Sequence, residues 1–212
     1  MKKVMLIVFL CFMVCGCVNV NKSSIDQILT DSLSSELKFY NTQRTGYKYY
    51  LPKGIKTLNK NDYNEILADG KNKYYMYVDV LSYKNKISFD YIKKTDAYYS
   101  NVIKYQDKFG YLEIKKMESE KYLIEIMYNY AKIEVMVEDS EINKTIAYAI
   151  SILSSIEYND NVLDNLLGEN KLNFSDVEYN IFETAETESN YLNWVEKYDN
   201  YENEEKDNDF IN

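Results

Sequence analysis

The sequence predicts an α+β fold: an antiparallel sheet of about five to seven strands, packed by a C-terminal helix, with a further helix at its N-terminal side. Apolar and more polar residues alternate over 112–115, 122–129 and 131–138, as in strands that bury one face. An apolar stripe at helical spacing follows this meander and would cover the sheet; it consists of Ile142, Ile146, Ala149, Ile150 and Leu153.

The segments before the meander supply the remaining elements. Ser24 is placed to cap a helix, because an apolar stripe begins directly after it. Pro52-Lys53-Gly54 predicts a turn, since Pro fixes φ and Gly tolerates positive φ, and Asp69-Gly70 predicts a hairpin. The strands expected outside the meander cover residues 46–51, 55–59, 63–68, 73–83, 97–105 and 155–158.

The N-terminal residues have the organisation of a secretory signal. Lys2 and Lys3 precede an apolar run, Val4–Val14, and the chain turns polar soon afterwards. A run of this length is too short for a bilayer core, which needs about 20 residues in a helix. We therefore expect export rather than a membrane-spanning segment.

The end of this run, Val14-Cys15-Gly16-Cys17, resembles the lipobox of bacterial lipoproteins. The resemblance implies a signal peptide over 1–16, a diacylglyceryl group on the sulfur of Cys17, and a lipid anchor on the extracytoplasmic face of the cell membrane. Cys11 and Cys15 would leave with the signal, so the mature chain would have neither a free thiol nor a disulfide. An uncleaved anchor or an ordinary secretory signal is the alternative.

Charge divides the exported part into a domain and a tail. Residues 175–212 hold twelve Asp and Glu against two Lys, whereas the whole chain carries a net charge of −9. We expect a tether over 17–23, an α+β domain over 24–160 and an acidic, largely disordered tail over 161–212. The net negative charge argues against nucleic acid as a partner, since phosphate binding needs a basic surface.

One part of the acidic tail is amphipathic. Tyr191, Trp194, Val195 and Tyr198 fall at helical spacing, and Trp194 is the only Trp in the chain. A short helix at 189–198 could bind a protein partner. The alternative is that this segment docks on its own domain.

A second set of candidate residues lies in the strand expected over 73–83. Asp79 would share one face of that strand with Tyr75 and Tyr77, and a carboxylate among tyrosines could bind a cation or a sugar hydroxyl. The alternative is an edge or solvent-facing Asp that is hydrogen-bonded to a neighbouring hydroxyl.

Acidic residues also mark the polar side of the meander. Glu113, Glu125 and Glu134 are expected on a solvated face, neutralised by Lys115 and Lys132. A Ca²⁺ site is the alternative, although the spacing matches no calcium loop.

Catalytic chemistry has no support in the sequence. The chain contains no His, and neither a Gly-rich phosphate loop nor a nucleophile elbow occurs. We therefore predict no catalytic residue, cofactor or metal centre, and not an enzyme.

The order of elements gives a second resemblance. A Leu51-Pro52-Lys53-Gly54 turn, a meander and a helix running into the sequence ISILSSIEY resemble the PsbP/Mog1-like fold over roughly 45–160; cystatin-like and NTF2-like folds compete with it. The resemblance implies a small accessory or binding module. The function expected is a membrane-anchored extracytoplasmic lipoprotein that acts as a non-enzymatic accessory or protein-interaction module. The alternative is a small-molecule or cation-binding lipoprotein that serves a transporter or sensor.

Overall fold

The computed structural model describes residue 20 and residues 23–35, 39–61 and 63–167. The proposed acylation site Cys17 and the predicted tail helix at 189–198 lie outside these residues. The elements follow in the order α1 (Ile25–Ser34), β1 (Thr42–Arg44), β2 (Tyr47–Tyr49), β3 (Lys56–Asn61), β4 (Asn64–Ala68), β5 (Lys73–Val78), α2 (Val80–Asn85), β6 (Tyr99–Tyr105), β7 (Lys108–Lys116), β8 (Tyr122–Tyr128), β9 (Ala131–Val137), α3 (Ile142–Ser154), β10 (Glu157–Tyr158) and α4 (Asp160–Leu167).

Two antiparallel sheets organise the molecule and confirm the predicted α+β class. The larger sheet has seven strands in the order β3-β4-β5-β9-β8-β7-β6, and the smaller has three in the order β1-β2-β10. The meander forms as expected. Its last turn, Asn129-Tyr130, has two residues, both with positive φ, and sets Tyr128 opposite Ala131. This even-length turn keeps both apolar sets on one face.

The first face of the large sheet, which we call the inner face, is covered by helices. α3 packs on β8 and β9, and α1 packs on α3. Ile146, Ala149 and Ile150 of the predicted stripe are fully buried, as are Ile124 and Ile133 beneath them. Ser24 caps α1 as predicted, because its side chain accepts a hydrogen bond from the backbone N–H of Gln27 at 3.2 Å.

The packed part of the chain extends beyond both predicted boundaries. Asn143 Nδ2 donates to the carbonyls of Val20 and Ser23, at 3.1 and 2.9 Å, so chain inside the predicted tether is already held to α3. At the other end, Leu163 of α4 is fully buried, although the sequence pattern ends the domain at residue 160. Among the described residues, no helix has the length and apolar character needed to cross a bilayer.

A buried carboxylate joins the two sheets. The side chain of Glu65 in β4 has no exposed surface, and Arg44 Nη2 of β1 lies 2.6 Å from Glu65 Oε2. From β2, the Tyr49 hydroxyl donates to Glu65 Oε2 at 2.9 Å and the Tyr47 hydroxyl donates to Glu65 Oε1 at 3.1 Å. Because all three donors come from the small sheet, this one side chain fixes that sheet on the inner face of the large one.

We predict that Glu65→Ala destabilises the protein by about 3 kcal/mol, since breaking a buried ion pair leaves the Arg44 guanidinium and two hydroxyls without their acceptor. Urea unfolding measures the change. The matched control is Glu157→Ala, which removes the exposed partner of Lys48 and should cost less than about 1 kcal/mol. Equal effects of the two substitutions would show that Glu65 does not join the sheets.

Candidate functional site

Asp79, a predicted ligand-binding residue, caps a helix instead of lying in the middle of a strand. β5 ends at Val78, and α2 begins at Val80. The Asp79 carboxylate accepts hydrogen bonds from the backbone N–H and the hydroxyl of Ser82, at 2.8 and 2.7 Å, and the residue is fully buried. Burial raises the pKa of Asp79, and the hydrogen bonds to Ser82 oppose that rise. The prediction of a strand over 73–83 is therefore wrong at its C-terminal end.

Tyr75 and Tyr77 lie on the second face of the large sheet, which we call the outer face. In the register of β5 with β9, Tyr75 is opposite Glu134 and Tyr77 is opposite Lys132. Side chains of directly opposed residues share a face of the sheet. These tyrosines therefore accompany the charged side chains of β9, whereas Asp79 lies past the end of β5 and caps α2.

Three glutamates form a row across the outer face. Glu113 of β7 is opposite Glu125 of β8, which is opposite Glu134 of β9. Their exposed fractions are 3%, 8% and 1%. The prediction of a solvated face is therefore wrong. The connection between α2 and β6 covers part of the outer face, because the ring of Tyr91 in this connection stacks on the ring of Tyr111 in β7, with centroids 4.3 Å apart.

The row is neutralised within the protein. Lys132 Nζ lies 2.7 Å from Glu134 Oε1, and Lys115 Nζ lies 3.1 Å from Glu113 Oε1, so the predicted role of these lysines is confirmed. The Tyr91 hydroxyl donates to Glu113 Oε2 at 2.6 Å. Each of these carboxylates has a partner of the kind that buried charge requires.

Glu125 lies between the two other glutamates, and the Tyr111 hydroxyl donates to its Oε1. Burial raises the pKa of Glu125; Lys132 opposes the rise, and the Glu134 charge adds to it. Burial and the Glu125 carboxylate raise the pKa of Tyr111, which therefore stays a donor at neutral pH. Burial and the neighbouring carboxylate thus favour the protonated form of Glu125 relative to a solvated Glu.

The calcium alternative finds no support in this arrangement. Within the described part of the chain, no three His, Cys, Asp or Glu side chains are grouped so that they could hold a metal ion. The carboxylates of the row are paired instead with ammonium groups and phenols. The row acts as the packing and hydrogen-bonding centre of the outer face.

The best candidate for a binding site is an aromatic cleft of about 360 Å³ at the end of the sheet where the Asn129-Tyr130 turn lies; we call it the distal cleft. The rings of Tyr83 and Tyr158 stack with centroids 3.8 Å apart. Tyr130 meets Tyr83 edge-on at 5.7 Å and Phe109 at 6.3 Å. The cleft therefore offers several ring faces and edges to a flat or apolar group.

Two cations border the distal cleft. Lys86 Nζ lies 3.7 Å from the centroid of the Tyr83 ring, in a cation–π contact. Lys108 is half-buried, and burial lowers its pKa, with Asp107 and Glu157 opposing the shift. Neither ammonium group pairs directly with a carboxylate among the described residues. The carboxylates of Asp107 and Glu157 also line the cleft, which therefore combines aromatic surface with charges of both signs.

Asp79 contributes to this cleft indirectly. Its side chain fixes the start of α2, the helix that carries Tyr83 and is followed by Lys86, and its backbone N–H donates to the Tyr130 carbonyl at 2.8 Å. The sequence pattern did not indicate the cleft, because its residues come from four separate segments. The isolated signal was Tyr130, a bulky residue at a hairpin position that favours Gly.

A larger groove of about 990 Å³ runs beside β1 and β2. Among its cations, Arg44 and Lys48 already pair with Glu65 and Glu157, and Lys60 also lines the groove. Its aromatic lining is limited to Tyr47 and Tyr158, so it offers fewer rings to a ligand than the distal cleft does.

We predict that Glu125→Gln stabilises the protein at neutral pH, by about 1.4 kcal/mol for each unit by which the pKa of Glu125 is raised. A carboxyl group whose pKa is higher in the folded than in the unfolded protein makes its full contribution to the free energy of unfolding below the unfolded pKa of about 4.3. That contribution is lost as the pH rises through the folded pKa. The gain should therefore be absent near pH 4 and appear at higher pH, as measured by urea unfolding across this range.

The control is Glu120→Gln, which alters an exposed carboxylate paired with Lys116 and should give no such pH-dependent gain. A loss of stability in Glu125→Gln at neutral pH would contradict the raised pKa.

Comparison with known proteins adds no relative to this picture: no protein-family model, no curated protein and no solved structure matches the chain. The likenesses to bacterial lipoproteins and to the PsbP/Mog1-like fold therefore remain predictions from the sequence.

Proposed function

We propose that this protein is a lipid-anchored extracytoplasmic lipoprotein whose domain is a non-enzymatic accessory or interaction module. The signal-like N-terminus and the lipobox-like residues ending at Cys17 support the anchor. The distal cleft supports the binding role, because its rings and ammonium groups are groups that recognise a partner without requiring chemistry. Two or more acyl chains give stable membrane attachment, whereas one chain gives only marginal binding.

The attachment of Val20 to α3 is the observation that carries this proposal. Cys17 and Val20 are three positions apart, and this stretch spans at most about 11 Å even when extended. Val20 packs against the core, and Asn143 holds its carbonyl. An acylated Cys17 would therefore keep Val20, which contacts the start of α3, within about 11 Å of the acylated residue.

The distal cleft lies at the opposite end of the domain. α3 runs over 13 residues from Ile142 to Ser154, a rise of about 20 Å, and β10 with Tyr158 follows it. Strand β8 covers a similar length between the 117–121 turn and the Asn129-Tyr130 turn that borders the cleft. Anchoring through Cys17 would thus present the distal cleft to the space outside the membrane.

The cleft also favours the second candidate function, a small-molecule-binding lipoprotein that serves a transporter or sensor. Its volume suits a small ligand, and its aromatic lining favours one with a flat or apolar group.

We predict that Cys17→Ser abolishes labelling of the protein by a clickable fatty acid and releases it from the membrane fraction or blocks its processing, because the acyl-accepting sulfur is lost. The matched control is Cys15→Ser, which should keep both the label and the membrane location. Labelling of Cys17→Ser, or loss of the label in Cys15→Ser, would contradict the proposed anchor.

We also predict the orientation of the domain. Once Cys17 is acylated and Cys11 and Cys15 are removed, a single introduced cysteine can carry a fluorophore. In proteoliposomes with nitroxide-headgroup lipid, a probe at Lys121→Cys should be quenched more strongly than one at Lys104→Cys. The reason is that exposed Lys121 lies at the end of the domain where α3 begins, whereas exposed Lys104 lies near the distal cleft. Equal quenching, or the reverse order, would contradict this orientation.

A further inference from the structure

We propose that residues 88–98, which we call the strap, form a lid over the glutamate row, and that this lid opens when the row loses its one excess proton. The strap is the connection between α2 and β6 that covers part of the outer face. Closure shields the row from solvent and from any partner, whereas opening exposes it. This device depends neither on the lipid anchor nor on the distal cleft.

The strap is held to β7 through aromatic side chains. The Tyr91 ring stacks on Tyr111 with centroids 4.3 Å apart, and the Tyr91 hydroxyl donates to Glu113 Oε2 at 2.6 Å. The Phe89 ring lies beside Phe109 and Tyr111, with centroid separations of 5.2 and 5.9 Å. Because these partners all belong to β7, the strap closes over the row from that side of the sheet.

The backbone of the strap adds little to this attachment. Over 90–98, no backbone–backbone hydrogen bond joins the strap to another described residue; the Lys94 N–H donates instead to the Ser100 hydroxyl at 2.8 Å. Most of residues 92–97 are exposed, and Ile92 is 77% exposed. A segment with few buried contacts and no backbone ladder opens locally at a lower free-energy cost than the strands beneath it.

Both ends of the strap are fixed. α2 is followed by its C-cap Lys86, which has a left-handed φ of 53° and whose backbone N–H donates to the carbonyls of Ser82 and Tyr83. At the other end, β6 starts at Tyr99 and pairs with β7 in unbroken register. Opening therefore releases side-chain contacts of the strap and leaves the strands and helices of the domain intact.

The row beneath the strap holds more carboxyl groups than ammonium groups. Glu113 pairs with Lys115 at 3.1 Å, and Glu134 pairs with Lys132 at 2.7 Å. Glu125 lies between these pairs and has no ion pair of its own among the described residues. Three carboxyl groups and two ammonium groups are neutral only when one proton is retained, and burial favours the neutral arrangement. Glu125 is the group that retains this proton.

The surroundings of Glu125 favour its protonated form while the strap is closed. Burial raises the pKa of Glu125; Lys132 opposes the rise, and the Glu134 charge adds to it. The titratable and charged groups around it are Tyr111, Glu113 and Lys115 of β7, Lys132 and Glu134 of β9, Tyr75 and Tyr77 of β5 beyond β9, and Tyr91 of the strap. The charged residues of the strap itself are exposed or half-buried; they are Asp90, Lys93, Lys94 and Asp96.

This proton couples the strap to pH. When the strap opens, water reaches the row, and the pKa of Glu125 returns toward the solvated value of about 4.3. The closed form holds the proton more tightly, so its advantage is complete below the open-state pKa and is lost as pH rises through the closed-state pKa. The ratio of open to closed strap therefore increases with pH, by up to about tenfold for each unit that separates the two pKa values.

Hydroxyl-radical footprinting of the full-length chain, read by mass spectrometry, measures this opening. The reporter is Tyr111, which is 1% exposed beneath the Tyr91 ring. Exposed Tyr105 serves as the reference, and Tyr74, fully buried on the inner face, reports unfolding of the whole domain. Between about pH 5 and about pH 8, oxidation of Tyr111 relative to Tyr105 should rise by up to about tenfold per unit of the pKa difference, while Tyr74 stays protected.

Three variants separate the strap from other causes. Glu125→Gln leaves two carboxylates opposite two ammonium groups, so Tyr111 should stay protected at both pH values. The matched control Glu120→Gln alters an exposed carboxylate paired with Lys116 and should keep the rise of the unaltered chain. Tyr91→Ala removes both the ring and the hydroxyl that hold the strap, so Tyr111 should be oxidised already at the lower pH.

A rise that persists in Glu125→Gln would overturn the proposal, and so would a rise that Tyr74 shares or the absence of any rise in the unaltered chain. Protection of Tyr111 in Tyr91→Ala would overturn it as well, because the strap would then not be the cover of the row. None of these results depends on acylation of Cys17, so they leave the proposed anchor to its own test.

Discussion

Burial of charge on both faces of one antiparallel sheet is the constraint on which this structure depends. On the inner face, Glu65 is enclosed and must receive its hydrogen bonds from the small sheet. On the outer face, Glu125 and Glu134 lie side by side with Lys132. An enclosed carboxylate without partners costs several kcal/mol, so each one dictates which neighbouring elements must pack against it. The seven-stranded sheet acquires two different coverings for this reason.

The same packing gives the domain two unlike ends. Asn143 fixes the entering chain at the start of α3, whereas the Asp79 cap, the Asn129-Tyr130 turn and β10 assemble the distal cleft beyond its other end. If the domain is anchored near the start of α3, the distal cleft faces away from the membrane. Binding at the distal cleft would therefore take place roughly one helix length from the proposed anchor.

Periodicity and turn chemistry predicted the inner half of the fold, because alternation in β7–β9, the α3 stripe and the Ser24 cap are local signals. Asp79 was wrongly predicted to lie in a strand. Its side chain caps α2 by accepting a hydrogen bond from the backbone N–H of Ser82, and this cap ends the strand although the sequence pattern continues beyond it. The outer face was wrongly predicted to be solvated, because the connection between α2 and β6 that covers part of it has no periodic sequence pattern. The apolar Leu123, Met127 and Met136 among its polar residues were the available sign of burial. The cleft depends on contacts between distant segments, which a local pattern does not contain.

Carboxyl footprinting of the folded chain with carbodiimide and an amine, read by mass spectrometry, tests the burial of charge most directly. The account predicts that Glu65 and Glu134, each 1% exposed, stay unmodified, whereas the exposed Glu118 and Glu120 react. All four should react once the chain is unfolded in urea. Modification of Glu65 and Glu134 at the rate of Glu118 in the folded chain would contradict the account, because it would mean that neither face of the sheet encloses its charges.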